Sequence, residues 1–234
     1  MKSNIIYLLL AILILFISII YGKNKENFDN KLSNHIGIVY YINLYKRTDR
    51  KEQIIGEINK LNLKTDQIKR VSGVYIEEFG ALGCSYSHIE CLKNFIKSDK
   101  SNCIIFEDDF MFKDINVNEN LNNFFNLNID YDICMLSINS NNLKNTEYSF
   151  LNKVIDGQTT SGYIINKKFA KTLLNNYIEG SELLKNTKNQ SLYSIDQYWK
   201  KLQPNNKWYV FNPTLGIQRP SYSDINKKFE DYKV

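Results

Sequence analysis

The sequence predicts an α/β fold, a single domain that follows an N-terminal hydrophobic helix. Three observations carry this. Short apolar runs rich in β-branched and aromatic residues, at 36–44 and 102–112, lack helical periodicity and read as buried strands. Stretches between and after them carry apolar residues at helical spacing, as at Ile54, Ile55, Ile58 and Leu61. The 234 residues and 43% hydrophobic content suit one domain of ordinary size with a real core.

Residues 5–21 are apolar except for Ser18, and a helix over them would span about 25 Å, enough to cross a thin membrane. The large residues before Gly22 lack the small-x-small pattern of signal cleavage, so 1–22 is expected to be an uncleaved anchor rather than a cleaved signal. Lys2 flanks one side of it and Lys23, Lys25 and Lys31 the other, so charge counting alone leaves the globular part cytosolic. Residues 23–35, polar and rich in Asn and Lys, are expected to form a stalk, and the domain proper to occupy 36–234.

The net charge of +5 is small and dispersed, which argues against nucleic acid as a partner. Asn, Lys, Ile and Tyr are used heavily while Arg occurs only at 47, 50, 70 and 219, a bias that suggests an AT-rich genome. Cys84, Cys91, Cys103 and Cys134 contain no CxxC pair, so neither a disulfide framework nor a zinc ribbon is indicated. Cys84, His88 and Cys91 do share a helical face, but no fourth metal ligand lies nearby and small buried thiols are common in cores.

In chain order, the strand at 36–44 runs into YKRTDR, and Thr48 or Asp49 can cap a helix through about Leu61. Arg47 and Arg50 fall where a first strand hands over to its helix, a common nucleotide position in α/β sheets. Pairing with Asp49 or Glu52 is their plain alternative. Residues 67–71 are expected as a second strand, 73–83 as a loop, and 81–96 as a helix striped with Leu82, Ile89, Leu92, Phe95 and Ile96. His88, near Ser85 and Ser87, reads as a hydrogen-bonded structural residue.

The centre of the sequence is 102–112, NCIIFEDDFMF, an apolar run that drives into Glu107, Asp108 and Asp109. On an extended backbone Glu107 and Asp109 project to one side and Asp108 to the other. Three adjacent anions repel, and a strand end carries them if they are solvated, paired with bases, or neutralised by a hard divalent ion. A solvated acidic loop is the plain reading of the tripeptide taken alone.

Beyond it, 116–128 is helix-like, 133–138 a strand, and 139–149 a polar loop placed to cover a substrate. TTSGYIIN at 159–166 is a strand opened by small residues, where Gly162 permits close backbone approach to a ligand, and 167–177 is an amphipathic helix. Ser194 and Gln197 have capping-box spacing, which puts Asp196 in a first helical turn. There the helix dipole stabilises an acid and lowers its pKa, so it makes a weaker base unless burial or other acids compensate. Residues 213–225 read as an extended tail carrying Gln218, Arg219, Ser223 and Asp224.

Together YYINLYKRTDR, GALGCSYSHIECLK, IIFEDDF, TTSGYIINKKFAKTLL, SIDQYW and PSYSDI, in that order, resemble glycosyltransferase family 25, the lipopolysaccharide and procollagen galactosyltransferase family. The resemblance covers residues 36–225. The chain departs from it in its compactness and in Phe106, where an aliphatic residue is frequent. The resemblance implies a GT-A type nucleotide-sugar-binding sandwich, UDP-galactose as donor, Mn²⁺ or Mg²⁺ as the ion, and inverting transfer to a glycan or collagen-like protein acceptor. Asp109 would be the direct metal ligand, Glu107 would contact ribose or metal through water, and Asp196 would be the catalytic base.

Arg47, Arg50, Tyr41, Asn43, Leu44 and Asp108 would surround the donor, with Gln218 and Asp224 as further donor or metal contacts. Gly83, Ser87, His88 and Gly162 would be structural residues near the site. In a eukaryotic host the family would place the domain in the secretory lumen, anchored in the membrane. A non-catalytic relative serving as a carbohydrate-binding or adhesion module is the alternative, which the intact acids oppose.

Overall fold

The computed structural model describes Leu13, residues 32–223 and residues 228–231. The expected anchor, apart from Leu13, and most of the expected stalk lie outside the described residues, as does Asp224. No helix among the described residues is long and apolar enough to cross a membrane.

Strand β1 (Ile38–Asn43) is followed by α1 (Thr48–Asn59), β2 (Ile68–Ser72), α2 (Gly80–Lys97) and β3 (Asn102–Glu107). β1 pairs in parallel with both β2 and β3. Both faces of β1 and β3 are covered, which is why these two strands are apolar at nearly every position. Val39, Tyr41, Ile104 and Phe106 pack on one side with Ile54 and Ile58 of α1. Ile38, Tyr40, Cys103 and Ile105 pack on the other with Ile89, Leu92 and Phe95 of α2.

The chain continues through β4 (Phe110–Phe112), α3 (Val117–Asn126), β5 (Ile133–Met135), β6 (Asn139–Asn145), β7 (Leu151–Gln158) and β8 (Gly162–Asn166). The long helix α4 (Lys167–Thr187) and two four-residue turns, α5 (Gln190–Tyr193) and α6 (Ile195–Tyr198), lead to β9 (Trp208–Phe211). Three short strands close the described chain: β10 (Gly216–Gln218), β11 (Ser221–Ser223) and β12 (Lys228–Glu230). The central sheet has the order β2–β1–β3–β8–β5–β9–β7–β6, so it is mixed. β8 runs antiparallel to its neighbours β3 and β5. That reversal positions the site, because the entry to β8 meets the exit of β3: Gly162 is opposite Phe106, and the Glu107 N–H donates to the Ser161 carbonyl at 2.8 Å.

Several expectations need correction. The end of the expected stalk belongs to the packed domain: Leu32 is buried, Asn102 Nδ2 donates to the His35 carbonyl at 2.9 Å, and the His35 ring stacks on Phe125. The polar loop expected at 139–149 is largely strand β6, which pairs antiparallel with β7 at the sheet edge. An edge strand with mostly exposed polar side chains shows no apolar alternation, so nothing in its composition marks it as a strand.

The helix expected at 167–177 continues to Thr187, passing Gly180, where a Cβ would stand 2.7 Å from the Tyr198 ring. The Ser194–Gln197 capping box does not form; Gln197 Nε2 donates instead to Gln158 Oε1 at 2.7 Å. The tail expected at 213–225 is partly paired: β10 runs antiparallel to β4, and β11 to β12.

Gly162 also serves a different purpose from the one expected. A Cβ there would lie 2.6 Å from the Phe110 ring, so an aromatic side chain of this protein takes the space assigned to a ligand. Phe110 packs in turn on Phe106, tilted, and on Phe112, edge to face, at centroid distances of 4.6 and 4.8 Å. The departure at Phe106 is therefore part of an aromatic cluster beneath the acidic turn.

Candidate active site

A cleft opens where β1 and β3 end, walled by α2 and the loop 73–76. Helix α2 builds two adjacent faces of it through side chains four residues apart. On one face, Gly83 lets the loop approach: a Cβ would stand 2.3 Å from the Val74 carbonyl oxygen. One turn later Ser87 Oγ accepts from the Val74 N–H at 2.8 Å and donates to the Gly83 carbonyl at 2.8 Å. On the next face, Cys84 and His88 point at Glu107: His88 Nε2 lies 3.0 Å and Cys84 Sγ 3.8 Å from Oε1. His88 is fully buried, and its Nδ1 meets the Tyr163 hydroxyl at 3.0 Å.

The strand ends at Glu107, and Asp108 and Asp109 form a turn into β4. The turn breaks the alternation expected of an extended backbone, so all three acids line the cleft. Glu107 Oε1 also accepts from Thr160 Oγ1 at 2.6 Å. Burial pushes the Glu107 carboxyl up, but His88, Thr160 and the Arg50 charge together hold it below its ordinary range.

Asp108 accepts from Asn43 Nδ2 at 2.8 Å on one oxygen and from Arg50 Nη1 at 3.0 Å on the other. Its pKa is nevertheless raised, because burial outweighs these partners. Asp109 Oδ2 accepts from Gln218 Nε2 at 3.1 Å and faces Arg50 Nη1 at 3.4 Å. Its Oδ1 is buried with no hydrogen-bond partner among the described residues. Burial, then the Glu107 charge, push the Asp109 carboxyl up to about 7 against the pull of Arg50.

This environment fits a divalent cation. A buried carboxylate with an orphaned oxygen, held beside two other acids, is stabilised by a positive ion that needs oxygen ligands. The C-terminal segment straps the turn from outside: the Arg219 N–H donates to the Asp109 carbonyl at 2.6 Å, and Arg50 Nη2 donates to Ser221 Oγ at 2.6 Å.

Asp196, on α6, does not line the cleft; it lies behind it, linked through the entry to β8. The Thr159 N–H donates to Asp196 Oδ2 at 3.3 Å, and the next residue, Thr160, holds Glu107. Thr159 has φ 94°, an unusual conformation for a β-branched residue. Burial raises the Asp196 pKa, opposed by the Thr159 N–H and reinforced by Glu107, so the lowering expected from its helix position does not prevail.

Of the residues singled out in the sequence, Asn43, Leu44, Arg50, Ser87, His88, Glu107, Asp108, Asp109 and Gln218 line this one cleft. Tyr41 does not. It sits two residues deeper on β1, on the same side of the strand as Asn43, buried among Ile54 and Ile58. Arg47 does not line the cleft either: it lies just before α1 and forms a two-pronged ion pair with Asp49, at 3.0 and 2.9 Å. Arg50 is there, but its guanidinium is engaged by protein carboxylates rather than left for a diphosphate. Cys91 is buried in the core, so the donors gathered near α2 are Cys84, His88 and Glu107. Tyr75, which lines the cleft, and Thr160, buried against Glu107, were not singled out in the sequence; a hydroxyl opening a strand was the available signal for Thr160.

A model of glycosyltransferase family 25 (LPS biosynthesis protein) matches residues 78–180, which hold α2, the three acids and β8. Over this stretch the chain resembles the glycosyltransferases of family 25. No curated protein matches it. Among solved structures, this chain is similar to a glycosyltransferase involved in the glycosylation of the major capsid of PBCV-1, at 12% identity and TM-score 0.42, over 74% of this chain and 80% of that one. A197 from STIV aligns at 11% identity and TM-score 0.45, over 84% and 96%. The glycosyltransferase GlyE of Streptococcus pneumoniae TIGR4 aligns at 10% identity and TM-score 0.43, over 75% of this chain and 45% of GlyE.

Proposed function

We propose that this chain is a family 25 glycosyltransferase that transfers a hexose, galactose from UDP-galactose, to a hydroxyl of a glycan or collagen-like protein acceptor, with inversion at the anomeric carbon. The fold then serves as a nucleotide-sugar-binding sandwich of the GT-A type. One observation carries the reading: the buried, orphaned Oδ1 of Asp109 beside Glu107, in a cleft at the exits of two parallel strands.

Asp109 would hold Mn²⁺ or Mg²⁺, with Glu107 beside it, and such an ion would supply positive charge to a leaving diphosphate. Asn43 and Leu44 take the nucleotide end, and Gln218 fixes the Asp109 carboxylate through its Nε2 donor. Arg50 keeps Asp108 and Asp109 in place. An inverting displacement needs a base for the acceptor hydroxyl proton, and Asp196 serves, since burial makes its carboxylate more basic than an exposed one.

A panel of UDP-sugars tests the proposal, with UDP release measured in the absence of acceptor. UDP-galactose should be hydrolysed fastest, with Mn²⁺ required and chelator abolishing turnover. Glycan binding without hydrolysis of any UDP-sugar would instead indicate a carbohydrate-binding module.

A further inference from the structure

The three donor atoms gathered at α2 are of mixed chemistry: a thiol sulfur, an imidazole nitrogen and a carboxylate oxygen, all within 4.8 Å of one another. We infer that Cys84, His88 and Glu107 form a binding site for a thiophilic divalent cation of the zinc type, separate from the oxygen position at Asp109. The spacing is the first reason. Around a tetrahedral zinc ion, with bonds of about 2.0–2.3 Å, a nitrogen and an oxygen donor stand about 3.4 Å apart and a sulfur and an oxygen about 3.6 Å. Here His88 Nε2 and Glu107 Oε1 are 3.0 Å apart, and Cys84 Sγ and Oε1 3.8 Å.

The second reason is the surrounding support. A metal-bound imidazole is oriented by a partner on its other nitrogen, and His88 Nδ1 has the Tyr163 hydroxyl at 3.0 Å. Glu107 is fixed in turn by Thr160. Cys84 and His88 share one face of a regular helix, so neither must move far. All three residues line the cleft, which leaves a fourth coordination position toward it.

The protons balance simply. Before binding, His88 Nε2–H donates to Glu107. On binding, Nε2 turns to the ion, the ring proton moves to Nδ1, and the Tyr163 oxygen accepts it in a hydrogen bond, as a hydroxyl can. The Cys84 thiol gives up its proton, so one proton leaves per ion bound. Glu107 is shared with the proposed donor-site ion, so zinc and Mn²⁺ compete; this competition rests on the proposed function, whereas the zinc site itself does not.

Titration of the full chain with Co²⁺, read by the near-ultraviolet thiolate-to-cobalt band, tests the site. The wild type should bind one ion with the band, and Asp109→Asn should keep it. Cys84→Ser should lose the band and at least about tenfold in Zn²⁺ affinity. Calorimetry in two buffers should give one proton released per Zn²⁺. No band in the wild type, or a band unchanged in Cys84→Ser, would overturn the inference. If Cys84→Ser fails to fold by far-ultraviolet circular dichroism, zinc-edge X-ray absorption on the wild type decides: one sulfur at about 2.3 Å supports the site, and oxygen and nitrogen neighbours alone refute it.

Discussion

The Thr160 hydroxyl lies 2.6 Å from Glu107 Oε1, across the meeting point of two strands that run in opposite directions. This contact helps hold Glu107 ionised inside the protein. Thr160→Val keeps the shape of the side chain and removes the donor. Mn²⁺ affinity should fall by about 10–100-fold, the usual effect of losing a group that orients a ligand. A Mn²⁺ titration followed by calorimetry measures it, and unchanged affinity would remove Glu107 from the ion's surroundings.

The backbone at Thr159 leads to a second expectation. Its φ of 94° lies where glycine is at ease and residues with a Cβ are strained. Elsewhere Ala is ordinarily the better replacement, but here Thr159→Gly should be more stable than Thr159→Ala by about 1 kcal/mol. Thermal melts of the two variants provide the comparison. If the Ala variant melts higher, the conformation at Thr159 is relaxed.

Arg50 is buried against Asp108 and Asp109, with its guanidinium 3.0 and 3.4 Å from them. Arg50→Met should destabilise the chain by roughly 3–5 kcal/mol, because it leaves buried acids without their cation. The loss should be smaller at pH 5 than at pH 8, where Asp109 is ionised. Urea denaturation in chelator at both pH values would show it.

Asp109 itself gives stability a pH dependence. Its folded pKa is pushed up to about 7 from an ordinary 3.8. A raised carboxyl contributes stability that is complete below about pH 4 and lost as pH rises through 7. In chelator, the wild type should therefore lose stability relative to Asp109→Asn between pH 4 and pH 8, and Mn²⁺ should restore part of it. Melting curves across that range test the sign; a wild type that gains on the variant as pH rises would contradict it.

Much of the site was legible because strands covered on both faces announce themselves. The runs 36–44 and 102–112 read as buried strands, and the acid cluster within the second marked the cleft. Arg47 and Arg50 looked alike in the sequence, yet the difference was present there: Arg50 falls on the stripe of Ile54 and Ile58, which faces the sheet, whereas Arg47 precedes the helix. Tyr41 was misassigned because an aromatic residue near a site serves equally as core. The β6–β7 hairpin was missed because a polar edge strand owes its form to its partner, which local composition does not reveal. The Thr159–Thr160 link between Asp196 and Glu107 depends on β8 entering beside β3, a relation of topology rather than of sequence spacing.

On the proposed function, the cleft at the exit of β3 grips the diphosphate of an activated sugar through a cation held at Asp109. Calorimetric titration of UDP into the protein tests it most directly, with Mn²⁺, with chelator, and with Asp109→Asn in Mn²⁺. One UDP should bind in the first case, and binding should be at least about a hundredfold weaker in the other two. Equal affinity in all three would contradict it.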